Sequence, residues 1–115
     1  MTIWKDSMSQ SNQIANTILA QIGGLTFMRN VGMSNIVVLD KGVQFDINPA
    51  AMDMPPRHGI NRLRIEMESG KMYVMKFIQE DNLLEKTVRT ETKVYSDELT
   101  YLFNVHVRGI KSCTG

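Results

Sequence analysis

A chain of 115 residues, 43% hydrophobic and 22% charged, holds material for one folded domain and excludes wholesale disorder. Thirteen Lys and Arg against twelve Asp and Glu leave a formal charge of +1, which excludes a global field pulling the protein onto nucleic acid or acidic lipid. The one cysteine, Cys113, fits a reducing compartment, and no apolar run reaches the length of a membrane span, so a soluble, cytoplasmic protein is expected.

The opening residues "MTIWKDSMSQSNQ" lack the apolar core of a signal peptide, and residues 1–8 are expected to be loose unless Trp4 pins them. Ile14, Ile18, Leu19 and Ile22 then recur at helical spacing, which predicts an amphipathic helix capped by Ser11 and stopped at Gly23. From Leu25 the period moves towards two, first in "LTFMRN" and then in "NIVVLDKGVQFDI", where Asp40, Lys41 and Gly42 are expected to turn a hairpin. Val43, Phe45 and Ile47 alternate with polar residues and predict one buried face.

"NPAAMDMPPRHG", from Asn48 to Gly59, carries Pro49, Pro55 and Pro56, and neither a helix nor a strand runs through such a stretch. It is read as a long loop joining two hairpins. Asp53 and His58, with Asp46 nearby, are its candidate metal ligands or general base, but they fall short of the three or four spaced ligands that a metal needs. A solvated spacer without metal is expected.

"NRLRIEMESGKMYVMKFIQ" predicts the next hairpin, with Leu63, Ile65 and Met67 facing the same side as Tyr73, Met75 and Phe77 across a turn at Glu68 to Gly70. After a polar link, "EDNLLEK", the stretch "TVRTETKVY" reads as a strand with Val88, Thr90, Thr92 and Val94 on one side and Arg89, Glu91 and Lys93 on the other. Ser96 is placed to cap a helix that buries Leu99, Leu102, Phe103 and His106 and stops at Gly109, leaving residues 111–115 as a tail. His106 on that inward stripe is expected to be a packed histidine bonded to a backbone group. The chain is therefore expected to be one α+β domain: an antiparallel sheet of about five strands with an N-terminal and a C-terminal helix on one face.

The stretches "ANTILAQIGG", "GVQFDI", "NRLRIEMESGKMYVMKF" and "VYSDELTYLF", with Phe27 and the Gly32 to Asn35 segment, resemble a widespread group of small phage and prophage proteins of unassigned function. The likeness runs from about Ile14 to Ile110 and departs in the proline-rich loop and the last residues. It is carried by positions such as Ile18, Leu19, Phe45, Ile65, Tyr73, Phe77, Tyr95, Leu99 and Phe103, which are core and turn residues. The resemblance implies a phage-encoded accessory protein acting in the cytoplasm of a bacterial host, and it brings no catalytic residue with it.

Nucleophilic catalysis has little to work with. Cys113 sits near the end, no glycine-flanked serine follows a strand, and two histidines are the only bases of their kind. No enzyme and no cofactor are expected. Gly23 and Gly24 close a helix and do not open one, so they make no phosphate cradle.

The outer sheet face is the candidate site. On the expected alternation it presents Arg62, Arg64, Lys76, Arg89 and Lys93 against Glu66 and Glu91, with Met72 and Val74 between them. Such a cationic, partly apolar surface predicts a non-enzymatic protein that binds and modulates a host or phage protein, the arginines steering and Met72 and Val74 anchoring. The alternative is a nucleic-acid-binding accessory protein in phage replication or recombination, against which stands the lack of aromatics for stacking on that face. Self-association through an uncovered face or edge is a third expectation.

Overall fold

The structure is a computed structural model that describes residues 3–52, 57–69 and 72–109. Expectations resting on Asp53, Pro55, Pro56, Gly70 and Cys113, and on the side chain of Trp4, lie outside the described residues.

Helix α1 spans Ile3–Ile22 and α2 spans Gly24–Val31. Strands β1 (Ser34–Leu39), β2 (Gly42–Asp46), β3 (Arg62–Ser69), β4 (Met72–Asp81) and β5 (Leu84–Tyr95) follow. A 3-10 turn at Ser96–Glu98 leads into α3 (Leu99–Phe103), which ends in a π-helical turn, Asn104–Arg108. The strands form one antiparallel meander in the order β1-β2-β3-β4-β5, so the fold is α+β as the alternation implied.

One face of the sheet is dry. Val43, Phe45, Leu63, Ile65, Tyr73, Met75, Phe77 and Val94 point into a core closed by Ala15, Ile18 and Ile22 of α1, Phe27 and Val31 of α2, and Leu99, Phe103 and Val107 from the C-terminal helical segment. Phe27 meets Phe103 edge-on at 4.8 Å and Phe45 at 6.3 Å, which ties α2 to both the C-terminal helical segment and β2. Tyr73 keeps its hydroxyl satisfied by donating to the Gln21 side chain at 2.8 Å, and Thr100 donates to the Ile22 carbonyl at 2.8 Å.

Several local expectations change. α1 begins well before Ser11, which lies inside the helix and is no cap. Leu25 to Val31 is helical and not extended: Gly23, at φ 141°, breaks the chain direction, and Phe27 and Val31 then share one buried stripe while Leu25 points to solvent. Two alternating residues were too few to separate the periods. The link "EDNLLEK" is absorbed into the β4–β5 hairpin, with Asn82 and Leu83 as a two-residue turn at φ 53° and 70°. The β3–β4 hairpin keeps its expected facing, but its bulge falls at Glu68, between the Met67–Tyr73 and Ser69–Met72 pairs.

The proline-rich segment connects neighbouring strands β2 and β3. Within it Asn48 accepts the Ala50 amide at 3.0 Å to start a 3-10 turn at Pro49–Ala51, and Arg57–Gly59 turns through left-handed backbone, with His58 at φ 57° and Gly59 at φ 68°. Ile60, fully buried, ends the excursion.

Candidate functional site

Residues paired directly across antiparallel strands share a face, so the register assigns each side chain to the wet or the dry side. Arg62, Arg64 and Glu66 pair with Asp46, Gln44 and Gly42 on one side and with Ile78, Lys76 and Val74 on the other. Met72 pairs with Tyr95, and Thr90 with Lys76. These residues make the outer face, opposite the helices.

β5 departs from the expected alternation. Its register shifts twice, between the Tyr73–Val94 and Met75–Glu91 pairs and again between Phe77–Arg89 and Ile78–Thr87. Each shift inserts one extra residue in β5 and swaps the faces. Lys93 lies in the first bulge at φ 55°, and Arg89 and Glu91 are turned to the helix side, while Val94 stays inward and Val88 packs against the core. Arg89 is therefore not beside Arg62 and Arg64, which corrects the expected row of cations.

On the helix side Arg89 donates to Glu91, and the same Glu91 carboxylate lies 2.6 Å from His106 Nε2. His106 stands edge-on to Phe77 at 5.1 Å. The histidine is packed, as expected, but its partner is a carboxylate and not a backbone group. Two residues on, the Arg108 Nε is buried with no hydrogen-bond partner among the described residues, and its guanidinium lies over the Phe103 ring at 6.0 Å.

The outer face divides into two halves. In the half near the β4–β5 turn, Arg62 donates to Asp46 at 2.7 Å and to Glu85 at 2.6 Å, and Arg64 reaches the same Glu85 at 3.2 Å and Gln44 at 2.8 Å. Glu85 sits across β4 from these arginines, so the ion pairs span Ile78, which is fully buried although it points away from the main core. The arginine stems and their carboxylates cover it. Burial works to raise the Asp46 pKa, but bonds from Arg62 and Asn35 outweigh it and hold the carboxyl below its ordinary value. Glu85 is likewise lowered, first by its bond from Arg62, then by Arg64. Arg62 is raised by Asp46 and Glu85 together.

Both carboxyls bind protons less tightly folded than unfolded. The network's contribution is thus complete above the ordinary carboxylate range, about pH 4 to 4.5, and is lost as pH falls through the lowered values. Arg62→Met should lower stability by about 1–2 kcal/mol at pH 7, a figure kept small because Glu85 is partly exposed. Thermal melts at pH 7 and pH 3 check this: the gap between wild type and variant should shrink in acid, and a gap independent of pH would contradict it.

The other half, near the β1–β2 turn, is not saturated. Lys76, Val74 and Glu66 line an open concavity of about 330 Å³ with Asp40 and Lys41 at its rim. The Lys76 side chain has no hydrogen bond or ion pair among the described residues, and neither has Glu66. Met72 and Tyr95 adjoin as a directly opposed pair, with Tyr95 54% exposed. Tyr95 follows the inward Val94 and so falls on this face, which corrects the expectation that the face lacks aromatics.

Counted by register among the described residues, Arg62, Arg64 and Lys76 face Asp46, Glu66, Glu80 and Glu85. The outer face is not cationic overall. Among the described residues no group of three His, Cys, Asp or Glu is placed to hold a metal ion, and no helix is long and apolar enough to cross a membrane. Compared with family models, curated proteins and solved structures, the chain matches none.

Proposed function

We propose that this chain is a non-enzymatic accessory protein of a phage or prophage that binds and modulates a host or phage protein in the bacterial cytoplasm, and that it does so through the unsaturated half of its outer sheet face. The observation that carries this is the contrast between the two halves. Arg62 and Arg64 spend their donors on Asp46, Glu85 and Gln44, whereas Lys76 has no hydrogen bond or ion pair among the described residues and shares its face of β4 with Val74 and, four residues away, the Met72–Tyr95 pair. An exposed tyrosine and a half-buried methionine on the same face as an uncommitted charge have the chemistry of a protein contact: an amphipathic anchor, an adaptable thioether and a charge that selects orientation. The phage origin is supported by the sequence resemblance alone.

The nucleic-acid alternative needed a row of free cations for phosphates. With Arg89 on the helix side and Arg62 and Arg64 neutralised, that support is reduced to Lys76 and the bulge residue Lys93. Affinity purification from bacterial lysate with the wild-type chain and with Val74→Asp/Lys76→Glu tests the proposal under nuclease treatment. A partner retained by the wild type, rebinding when purified and lost from the double variant, is expected. The same partner on both would contradict the assignment to this face, and loss of binding on nuclease treatment would favour the alternative.

A further inference from the structure

A meander has two edges, and here they differ in kind. β5 is defended in the ways edge strands usually are: it carries Glu85, Lys86, Arg89, Glu91 and Lys93 and its two bulges interrupt any straight pairing. β1 is "SNIVVL", with no charge and no proline, and among the described residues no strand pairs with its outer backbone edge. Its central residues are exposed on both faces to a similar degree: Ile36 43%, Val37 46% and Val38 44%. One bulge, at Asn35 with φ 51°, lies at its start, and from Val37 to Leu39 the strand is regular.

We infer that β1 pairs antiparallel with β1 of a second copy, joining two meanders into one ten-stranded sheet. An unpaired backbone edge is satisfied by another strand, and apolar side chains on both faces require that strand to be apolar on both faces too. β1 meets its own requirement. With Val37 at the two-fold axis, Val37 opposes Val37, Ile36 opposes Val38, and Asn35 opposes Leu39, so every exposed apolar residue finds an apolar neighbour or the strand's own end. The same register sets Asp40 opposite Ser34, which avoids any like-charge contact along the strand. Pairing about β5 offers no comparable arrangement.

Six residues of edge bury less than the roughly 1,000 Å² of a stable interface, so the association is concentration-dependent and exchanging. The symmetry keeps both outer faces on one side of the joined sheet. If the partner surface proposed above is right, the dimer presents two copies of Val74 and Lys76 in the same direction, and a repetitive or dimeric partner would be held by both. The pairing itself does not depend on that proposal.

Sedimentation velocity of the full chain across a wide concentration range tests the inference. The wild type should pass from the 13.1 kDa monomer towards twice that mass as concentration rises. Val37→Lys should remain monomeric at every concentration with an unchanged melting temperature, because the residue is half exposed at an edge. Leu25→Lys, on the exposed side of α2, should dimerise like the wild type. A wild type that stays monomeric throughout, or a Val37→Lys variant that dimerises as well as the wild type, would overturn it. Loss of partner capture by Val74→Asp/Lys76→Glu with dimerisation intact would separate the two surfaces.

Discussion

Replacing Gly42 with alanine is expected to cost the fold about 3 kcal/mol or more, although the change adds one methyl group. Gly42 is the first residue of β2, buried, and lies between Leu39 of β1 and Glu66 of β3. A Cβ there would overlap the Ile65 carbonyl oxygen and approach the Glu66 Cα to 2.7 Å. Both obstacles are backbone within a central ladder, so neither can swing aside, and β2 or β3 must shift. Gly24 supplies the control. Its φ is +63° but nothing lies within 4 Å of its missing Cβ, so Gly24→Ala should cost only about 1 kcal/mol of backbone strain. Urea unfolding of both variants checks the pair, and equal losses would contradict the packing argument.

Phe103→Ala should be comparably severe, about 4 kcal/mol. The ring is fully buried, stands edge-on to Phe27 at 4.8 Å and lies under the Arg108 guanidinium. Its removal opens a cavity where α2, the C-terminal helical segment and the sheet meet, and leaves Arg108 over empty space. Small domains hold only 5–15 kcal/mol in all, so the variant should be partly unfolded at physiological temperature. Tyr101→Ala, two residues away but 48% exposed, should change stability by less than about 0.5 kcal/mol. A denaturant titration in which the two behave alike would contradict the assignment of Phe103 to the core.

The dry face was legible because it rests on long, regular patterns. Leu63, Ile65, Tyr73, Met75 and Phe77 alternate without interruption, and Leu99 and Phe103 repeat at helical spacing, so their burial follows from period alone. Gly42 was legible as special but for the wrong reason: it was read as a turn residue, whereas Asp40 and Lys41 make the turn and Gly42 is needed for close backbone approach. α2 was missed because it is short and follows a helix stop at Gly23, and a single Leu25–Phe27 repeat resembles a strand.

The outer face was half legible. Arg62, Arg64, Met72, Val74 and Lys76 lie on strands whose facing follows from alternation, and they share the outer side. Arg89 was misplaced because the two bulges in β5 turn the stretch between them to the other face, and neither bulge contains the glycine or asparagine that commonly signals one. The pairing of Arg62 with Asp46 and Glu85 was invisible for a different reason: the residues are 16 and 23 positions apart and meet only through the sheet register. Charge along one strand says nothing about the charge that a neighbouring strand sets against it.

Met72 and Tyr95 make the proposed contact surface directly measurable, since both side chains react readily with hydroxyl radicals. Oxidative footprinting of the chain, alone and with the protein it retains from lysate, should show both residues protected in the complex while Tyr101 reacts as before. Undiminished oxidation of Met72 and Tyr95 in a saturated complex, or protection confined to Tyr101 on the helix side, would contradict a partner seated beside Val74 and Lys76.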